Sequence, residues 1–133
     1  MLTKKASNLN VPNSLIGPIA TVAKQLLSLG ITPNYAGFNQ AVYAVTLSSS
    51  HPEFLREVST SLYPAVAEHC GTSWKAVERN LRTIINTAWE NNPALLAELS
   101  GRPLAKKPTS AQFIATLTAQ VAYGPMGTTN NEG

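Results

Sequence analysis

Apolar residues recur at three- and four-residue steps along most of the chain, and this spacing predicts α-helices throughout. The first predicted helix runs from about Ser14 to Leu29 and stops at Gly30, a residue suited to closing a helix. A second is expected from roughly Gly37 to Leu47, and a third around Phe54 to Ser59 with Pro52 in its first turn. Because no strand pattern or internal repeat is persuasive, the predicted fold class is all-α.

The middle of the chain predicts a helix-turn-helix. Pro64 either starts a short separate helix ending at Cys70 or lies in the first turn of one. Gly71-Thr72-Ser73 then forms a turn, with Thr72 or Ser73 as the N-cap of a long helix ending near Glu90. Two helices joined by such a turn are the device that places a helix in the DNA major groove.

The C-terminal part predicts two more helices and a tail. Asn92-Pro93 is a cap followed by a first-turn proline, and it opens a short helix that Gly101 closes. Thr109 and Gln112 have the spacing of a capping box for a last helix through about Tyr123, which Gly124 ends. The predicted organisation is therefore a flexible arm over 1–13, a helical domain over 14–124 and a disordered tail over 125–133.

The long helix after the turn has two contrasting faces. Its charged residues recur at helical spacing and share one side: Lys75, Glu78, Arg79 and Arg82. Its apolar residues occupy the other side and are expected to pack inward: Trp74, Val77, Leu81, Ile84, Ile85 and Ala88. A charged helix face is usually only solvated. Here it directly follows a Gly-containing turn and includes two arginines one turn apart, which favours contact with guanine edges and phosphates.

Charge and composition narrow the classes of protein. The formal net charge is +3, and 44% hydrophobic with 13% charged residues is typical of a compact globular protein. Basic residues gather in 71–110, where six face three glutamates, whereas 31–70 carries one basic residue and three glutamates. The single cysteine and the lack of any long apolar run predict a cytoplasmic protein without disulfides or membrane spans. We expect no enzyme, metal ion or cofactor, because no nucleophile–base pair, phosphate loop or ligand cluster is recognisable.

An ordered series of short matches also runs from about Ile19 to Tyr123. It comprises Leu29-Gly30-Ile31, Gly37-Phe38, Leu62-Tyr63-Pro64, Val77-Glu78-Arg79, Leu81-Arg82, Ala88-Trp89, Lys107-Pro108-Thr109 and Phe113-Ile114-Ala115. On these residues the chain resembles the C-terminal DNA-binding effector domain of the master response regulator of sporulation initiation in endospore-forming bacteria. The resemblance implies a six-helix domain whose third and fourth helices form the helix-turn-helix.

The resemblance also implies partners and residue roles. Members of this family bind duplex boxes resembling TGTCGAA, often as tandem copies, and activate or repress transcription. By position, Glu78 and Arg79 would read bases, whereas Arg82 and Thr83 would contact the backbone. The basic loop before the last helix carries Lys106 and Lys107. The segment from Trp89 to Leu99 resembles the surface that addresses the sigma subunit of RNA polymerase.

Two departures from the family pattern are visible. Ala76 stands where the family has a base-reading arginine, and Lys75, one residue earlier, would substitute only in part. The chain also contains no aspartate, so it cannot hold the phospho-accepting receiver domain that members normally carry. Either it is an excised effector domain, with residues 1–13 as linker, or it is a free-standing relative controlled through abundance or a partner. Both alternatives stay open.

The sequence therefore predicts a sequence-specific transcription regulator that reads the major groove with a helix over about 73–90. The expected base-reading residues are Lys75, Glu78 and Arg79. The expected phosphate contacts are Thr72, Ser73, Arg82, Thr83, Lys106 and Lys107. The competing hypothesis, favoured by Ala76 and the modest charge, is a protein-interaction module that keeps the fold and binds RNA polymerase or another regulator without reading DNA.

Overall fold

Six α-helices account for most of the chain that the computed structural model describes, which is the backbone of residues 13–130 and the side chains of residues 16–123. They are α1 (Asn13–Ser28), α2 (Ala36–Ser50), α3 (Tyr63–Cys70), α4 (Trp74–Asn91), α5 (Pro93–Ser100) and α6 (Ser110–Asn130). A 3₁₀-helix (Pro52–Arg56) and a π-helical turn (Val58–Leu62) connect α2 to α3. The predicted all-α class is confirmed, and no helix of this part of the chain is long and apolar enough to cross a membrane.

The core forms around α2, which packs against α1, α3, α4 and α6. Each helix contributes apolar side chains at helical spacing to one continuous cluster. Its largest fully buried members come from four α-helices, the π-helical turn and the loop after α1: Leu26, Leu29, Ile31, Leu62, Leu81, Ile84, Ile85, Leu96, Phe113, Ile114 and Leu117. Since α4 and α6 both pack on this cluster, the core fixes the positions of these two helices.

The predicted helix ends are largely confirmed. The helices α1, α3 and α5 are each followed by a glycine with positive φ, at Gly30, Gly71 and Gly101. Asn92 caps α5, because its side chain accepts a hydrogen bond from the Leu95 N–H at 3.1 Å. The capping box of α6 is also present. The Thr109 N–H donates to Gln112 Oε1 at 2.9 Å, and the Gln112 N–H donates to Thr109 Oγ1 at 3.1 Å.

The segment between α2 and α3 differs from the single helix predicted around Phe54 to Ser59. The helix α2 continues through Ser50, and Pro52 then begins a 3₁₀-helix instead of an α-helix. Just before α3 the helical turn widens to a π-helical turn, with the Leu62 N–H donating to the Glu57 carbonyl at 3.2 Å. Pro64 explains the widening in part, because it has no N–H to close the ordinary α-helical bond to Thr60.

The two ends of the chain also bear on the predicted boundaries. The last helix continues to Asn130, so the prediction that it ends at Gly124 is wrong. A helical glycine costs only about 1 kcal/mol relative to alanine, which does not by itself force an end at Gly124, and the helix also continues across Pro125 and Gly127. The predicted disordered tail therefore overlaps this helix over 125–130, and 131–133 lie outside the described residues. The predicted arm likewise falls outside them, apart from Asn13 at the start of α1.

Candidate nucleic-acid interface

The helix α4 separates its side chains into the two faces that the sequence predicts. Five of the six residues expected to pack inward are buried: Val77, Leu81, Ile84, Ile85 and Ala88. On the opposite side Lys75, Arg79, Arg82 and Thr83 are exposed, and Glu78 is partly covered. Burial of the apolar face fixes the helix on the core, so the charged face stays turned to solvent.

The sixth residue, Trp74, is not buried, and its predicted inward packing is wrong. Its side chain is 43% exposed. By helical phase Trp74 lies on the inner side of α4, but it is the first residue of the helix and precedes Val77, the first residue that is fully covered. Its indole therefore stands beyond the edge of the core. Trp89, at the other end of α4, packs partly against the core.

The turn before α4 places its N-terminus on the surface. Gly71 closes α3 with φ +69°, a conformation that glycine adopts without strain. Ser73, one of the two predicted caps, accepts a hydrogen bond from the Ala76 N–H at 3.1 Å through its Oγ. Its hydroxyl proton stays free to donate. Thr72 is exposed in the same turn, so both predicted phosphate contacts lie at the start of α4.

Close contact with α2 holds the middle of α4. A Cβ added at Gly37 would stand 2.6 Å from the Asn80 carbonyl oxygen and 2.8 Å from Ile84 Cγ2, so only glycine fits there. Asn80 also donates from Nδ2 to Gln40 Oε1 at 3.2 Å. Sequence reasoning did not anticipate this hydrogen bond between residues forty positions apart. It anchors the side of α4 that borders the charged face.

Arg79 and Arg82 lie one turn apart but in different surroundings. Arg82 Nη2 is 3.8 Å from Glu78 Oε1, a loose and solvated ion pair of the kind that contributes little to stability. Within the part of the chain that the structure describes, Arg79 makes no ion pair. Thr83 donates its hydroxyl to the Arg79 carbonyl at 3.1 Å and must rotate before it can donate to a phosphate. We call Trp74, Lys75 and Arg79 the α4 tip.

A cleft of about 430 Å³ separates α4 from the start of α6. Its polar lining includes Glu78 and Arg82 from α4 and Lys107, Thr109 and Ser110 from the opposite wall. The cationic side chains of Arg82 and Lys107, which are 25 positions apart in sequence, therefore border the same cleft. We call it the α4–α6 cleft.

Asn86 completes the cleft and was missed by sequence reasoning. It lies one turn beyond Arg82 on the charged face and accepts a hydrogen bond from the Lys107 ammonium. The helical spacing of Arg79, Arg82 and Asn86 was the signal that would have found it. Lys106, the other predicted phosphate contact of this loop, is exposed and does not line the cleft.

Two further features shape the electrostatics of the cleft. The N-terminus of α6 opens onto it, and the positive end of a helix dipole favours an anion. Burial raises the pKa of the Tyr63 hydroxyl at the cleft wall. The nearby Glu78 carboxylate raises it further, whereas a hydrogen bond with Ser110 and the Arg82 charge act in the opposite direction. Tyr63 therefore stays neutral beside the two cations.

An all-α domain with a short helix, a three-residue turn and a surface helix basic on its outer face has the architecture of a helix-turn-helix regulator domain. Comparison with known protein families agrees with that class. Residues 22–121 match the sequence model of the family described as Sporulation initiation factor Spo0A C terminal. The match covers most of the chain, which therefore belongs to this family. It is a family of DNA-binding regulator domains and not of enzymes.

Proposed function

We propose that this domain binds specific duplex DNA boxes and regulates transcription, with α4 lying in the major groove. Family membership supports a sporulation-initiation effector domain. The single observation that carries the finer proposal is the exposed basic face of α4, fixed by a fully apolar inner face directly after a capped turn. That arrangement leaves the first turns of α4 free to reach base edges.

Lys75 and Arg79 of the α4 tip, together with Glu78, are proposed to read sequence. Arg79 is exposed and makes no ion pair with any described residue, so both arms of its guanidinium are available to O6 and N7 of guanine. Lys75 would contribute a second cation to the same groove. Glu78 would accept from cytosine or orient Arg82, to which it already lies close.

The α4–α6 cleft and the turn are proposed to hold phosphates. Arg82 and Lys107 present two cations across one space, and the start of α6 adds backbone N–H groups. Lys106 and Thr83 would contact the flanking backbone, and Thr72 and Ser73 would contact it at the other end of α4. These contacts carry no sequence information but fix the register of α4 on the duplex.

Ala76 bears on the target sequence. It stands where the family resemblance places a base-reading arginine, and it is partly covered in the first turn of α4. One missing bidentate contact costs about 1–3 kcal/mol of discrimination, so we expect an altered or relaxed TGTCGAA-like box. The tandem arrangement on adjacent boxes and the sigma-subunit contact through 89–99 are further proposals of the same kind.

A salt-dependent binding titration tests the proposal. Fluorescence anisotropy of a labelled duplex with a TGTCGAA-like box is compared with a scrambled duplex of the same composition. We expect tighter binding to the boxed duplex at physiological salt, and affinity for both duplexes that falls with added salt. Equal binding to both duplexes would contradict sequence reading. It would favour the alternative, a protein-interaction module that keeps this fold.

A further inference from the structure

The exposed indole of Trp74 has no role in the core. It is 43% exposed, and it is one of four large apolar side chains that lie on the surface of the part of the chain with described side chains. The Lys75 ammonium lies over its ring, 5.7 Å from the ring centroid. An ammonium at this distance from an indole is attracted to the ring, so the two side chains form one unit.

The position of this unit on α4 limits what it can contact. Trp74 and Lys75 are the first two residues of the helix, directly after the Ser73 cap. Side chains on a helix lean toward its N-terminus, so the indole projects past the end of α4, beside the turn. Ser73 caps the Ala76 N–H, and no hydrogen bond within α4 uses the N–H groups of Trp74 and Lys75. The surroundings are therefore positive and rich in donors.

We infer that Trp74 packs on the DNA backbone at the N-terminal end of α4, with the ring against a deoxyribose and its Nε1–H donating to a phosphate oxygen. Lys75, held beside the ring, then lies against the same phosphates instead of pointing only at base edges. The charge of the tip favours an anionic ligand, because Lys75 and Arg79 are exposed and Glu78 lies against Arg82. This inference rests on the proposed function. It adds a contact that depends little on base sequence.

Tryptophan fluorescence tests the contact directly, because the chain has two tryptophans. Trp89→Phe leaves Trp74 as the reporter, and Trp74→Phe leaves Trp89 as the matched control. Acrylamide quenching of each variant is measured without DNA and with a saturating boxed duplex, while anisotropy of the labelled duplex reports binding independently. We expect the duplex to shield Trp74 from acrylamide and to leave quenching of the half-buried Trp89 unchanged.

Affinity supplies a second readout that does not depend on Trp89→Phe folding. We expect Trp74→Ala to weaken binding about tenfold on boxed and scrambled duplexes alike, because it removes both the apolar contact with the sugar and the N–H donor to the phosphate. Trp74→Phe keeps the apolar contact and loses only the N–H donor, so we expect a smaller loss. Circular dichroism checks that both variants retain the helical fold.

The outcomes separate this inference from the proposed function. If the boxed duplex binds but Trp74 stays as quenchable as in the free protein and Trp74→Ala binds like the wild type, the contact is absent and the inference is overturned. A loss confined to the boxed duplex would also overturn it, since that result makes Trp74 a base reader. If the wild type binds no duplex, the proposed function fails and the inference falls with it.

Discussion

The α4 tip and the α4–α6 cleft are built from the same helix but differ in how their charges are held. At the tip, Arg79 is exposed and free of ion pairs with the described residues. In the cleft, Arg82 lies near Glu78, and Lys107 is hydrogen-bonded to Asn86. A bidentate contact with guanine needs guanidinium donors that no other group occupies, whereas phosphate contacts fix the register of the protein on the duplex. From this difference we propose that Arg79 reads base edges whereas Arg82 and Lys107 hold phosphates.

The difference between the α4 tip and the α4–α6 cleft requires α4 to have a fixed position, and its contact with α2 fixes that position. We expect Gly37→Ala to lower the stability of the domain by about 1–3 kcal/mol, because its Cβ meets the backbone of α4 and overpacks the interface. Thermal unfolding followed by circular dichroism measures the loss. Gly17→Ala is the matched control, since a Cβ there meets nothing within 4 Å and should not destabilise α1. Equal melting temperatures for the two variants would contradict this account of how α4 is held.

Arg79→Ala and Arg82→Ala separate the tip from the cleft. We expect Arg79→Ala to cost about 1–3 kcal/mol of preference for the boxed duplex, since it removes a bidentate contact with guanine. Arg82→Ala should instead weaken both duplexes by a similar factor and leave the preference intact. Anisotropy titrations of each variant on boxed and scrambled DNA give the ratio of its two affinities. The division of tasks is wrong if Arg82→Ala loses the preference and Arg79→Ala keeps it.

Lys107→Ala sharpens the description of the cleft. We expect it to weaken binding to all duplexes and to reduce the slope of log K against log salt by about 0.9, as loss of one phosphate contact does. Asn86→Ala keeps the charge but removes the hydrogen bond to Lys107, so we expect a loss of affinity with an unchanged slope. A slope that Lys107→Ala leaves unchanged would place this lysine away from the DNA.

The smallest expected effect is that of Tyr63 on the free energy of unfolding at alkaline pH. Burial raises the pKa of its hydroxyl in the folded protein, so the unfolded chain loses this proton first as the pH rises. The contribution of Tyr63 is therefore complete below about pH 10 and is lost as the pH rises from there through the folded-state pKa. Urea unfolding from pH 8 to 11 should show a shallower alkaline decline for Tyr63→Phe than for wild type. Identical declines would mean that Tyr63 titrates as freely as in the unfolded chain.

The sequence predicted those parts of the structure that depend on neighbours along the chain. The Asn92 cap and the Thr109–Gln112 capping box are local, since each involves residues three apart, and both are confirmed. The buried face of α4 was predicted for the same reason. The 3.6-residue period identifies the buried residues of α4 correctly wherever another helix covers that face.

Around α4, what sequence reasoning missed depends on contacts between distant residues. Periodicity placed Trp74 on the inner face but carries no information on where the covering helices stop. The cleft joins Arg82 and Lys107 through the packing of α6 on the core, and the Gln40–Asn80 bond joins two helices. Neither has a signal in local spacing. The roles of the DNA-contacting residues stay predictions.

Selection of preferred sites from a pool of random duplexes tests the central claim, that the α4 tip reads DNA sequence, most directly. At physiological salt we expect the wild-type domain to enrich one box related to TGTCGAA, with changes where Ala76 replaces the family arginine. The Arg79→Ala variant should lose enrichment at one or more positions of that box. A wild-type pool with no enriched sequence, or the same box selected by both proteins, would contradict the claim.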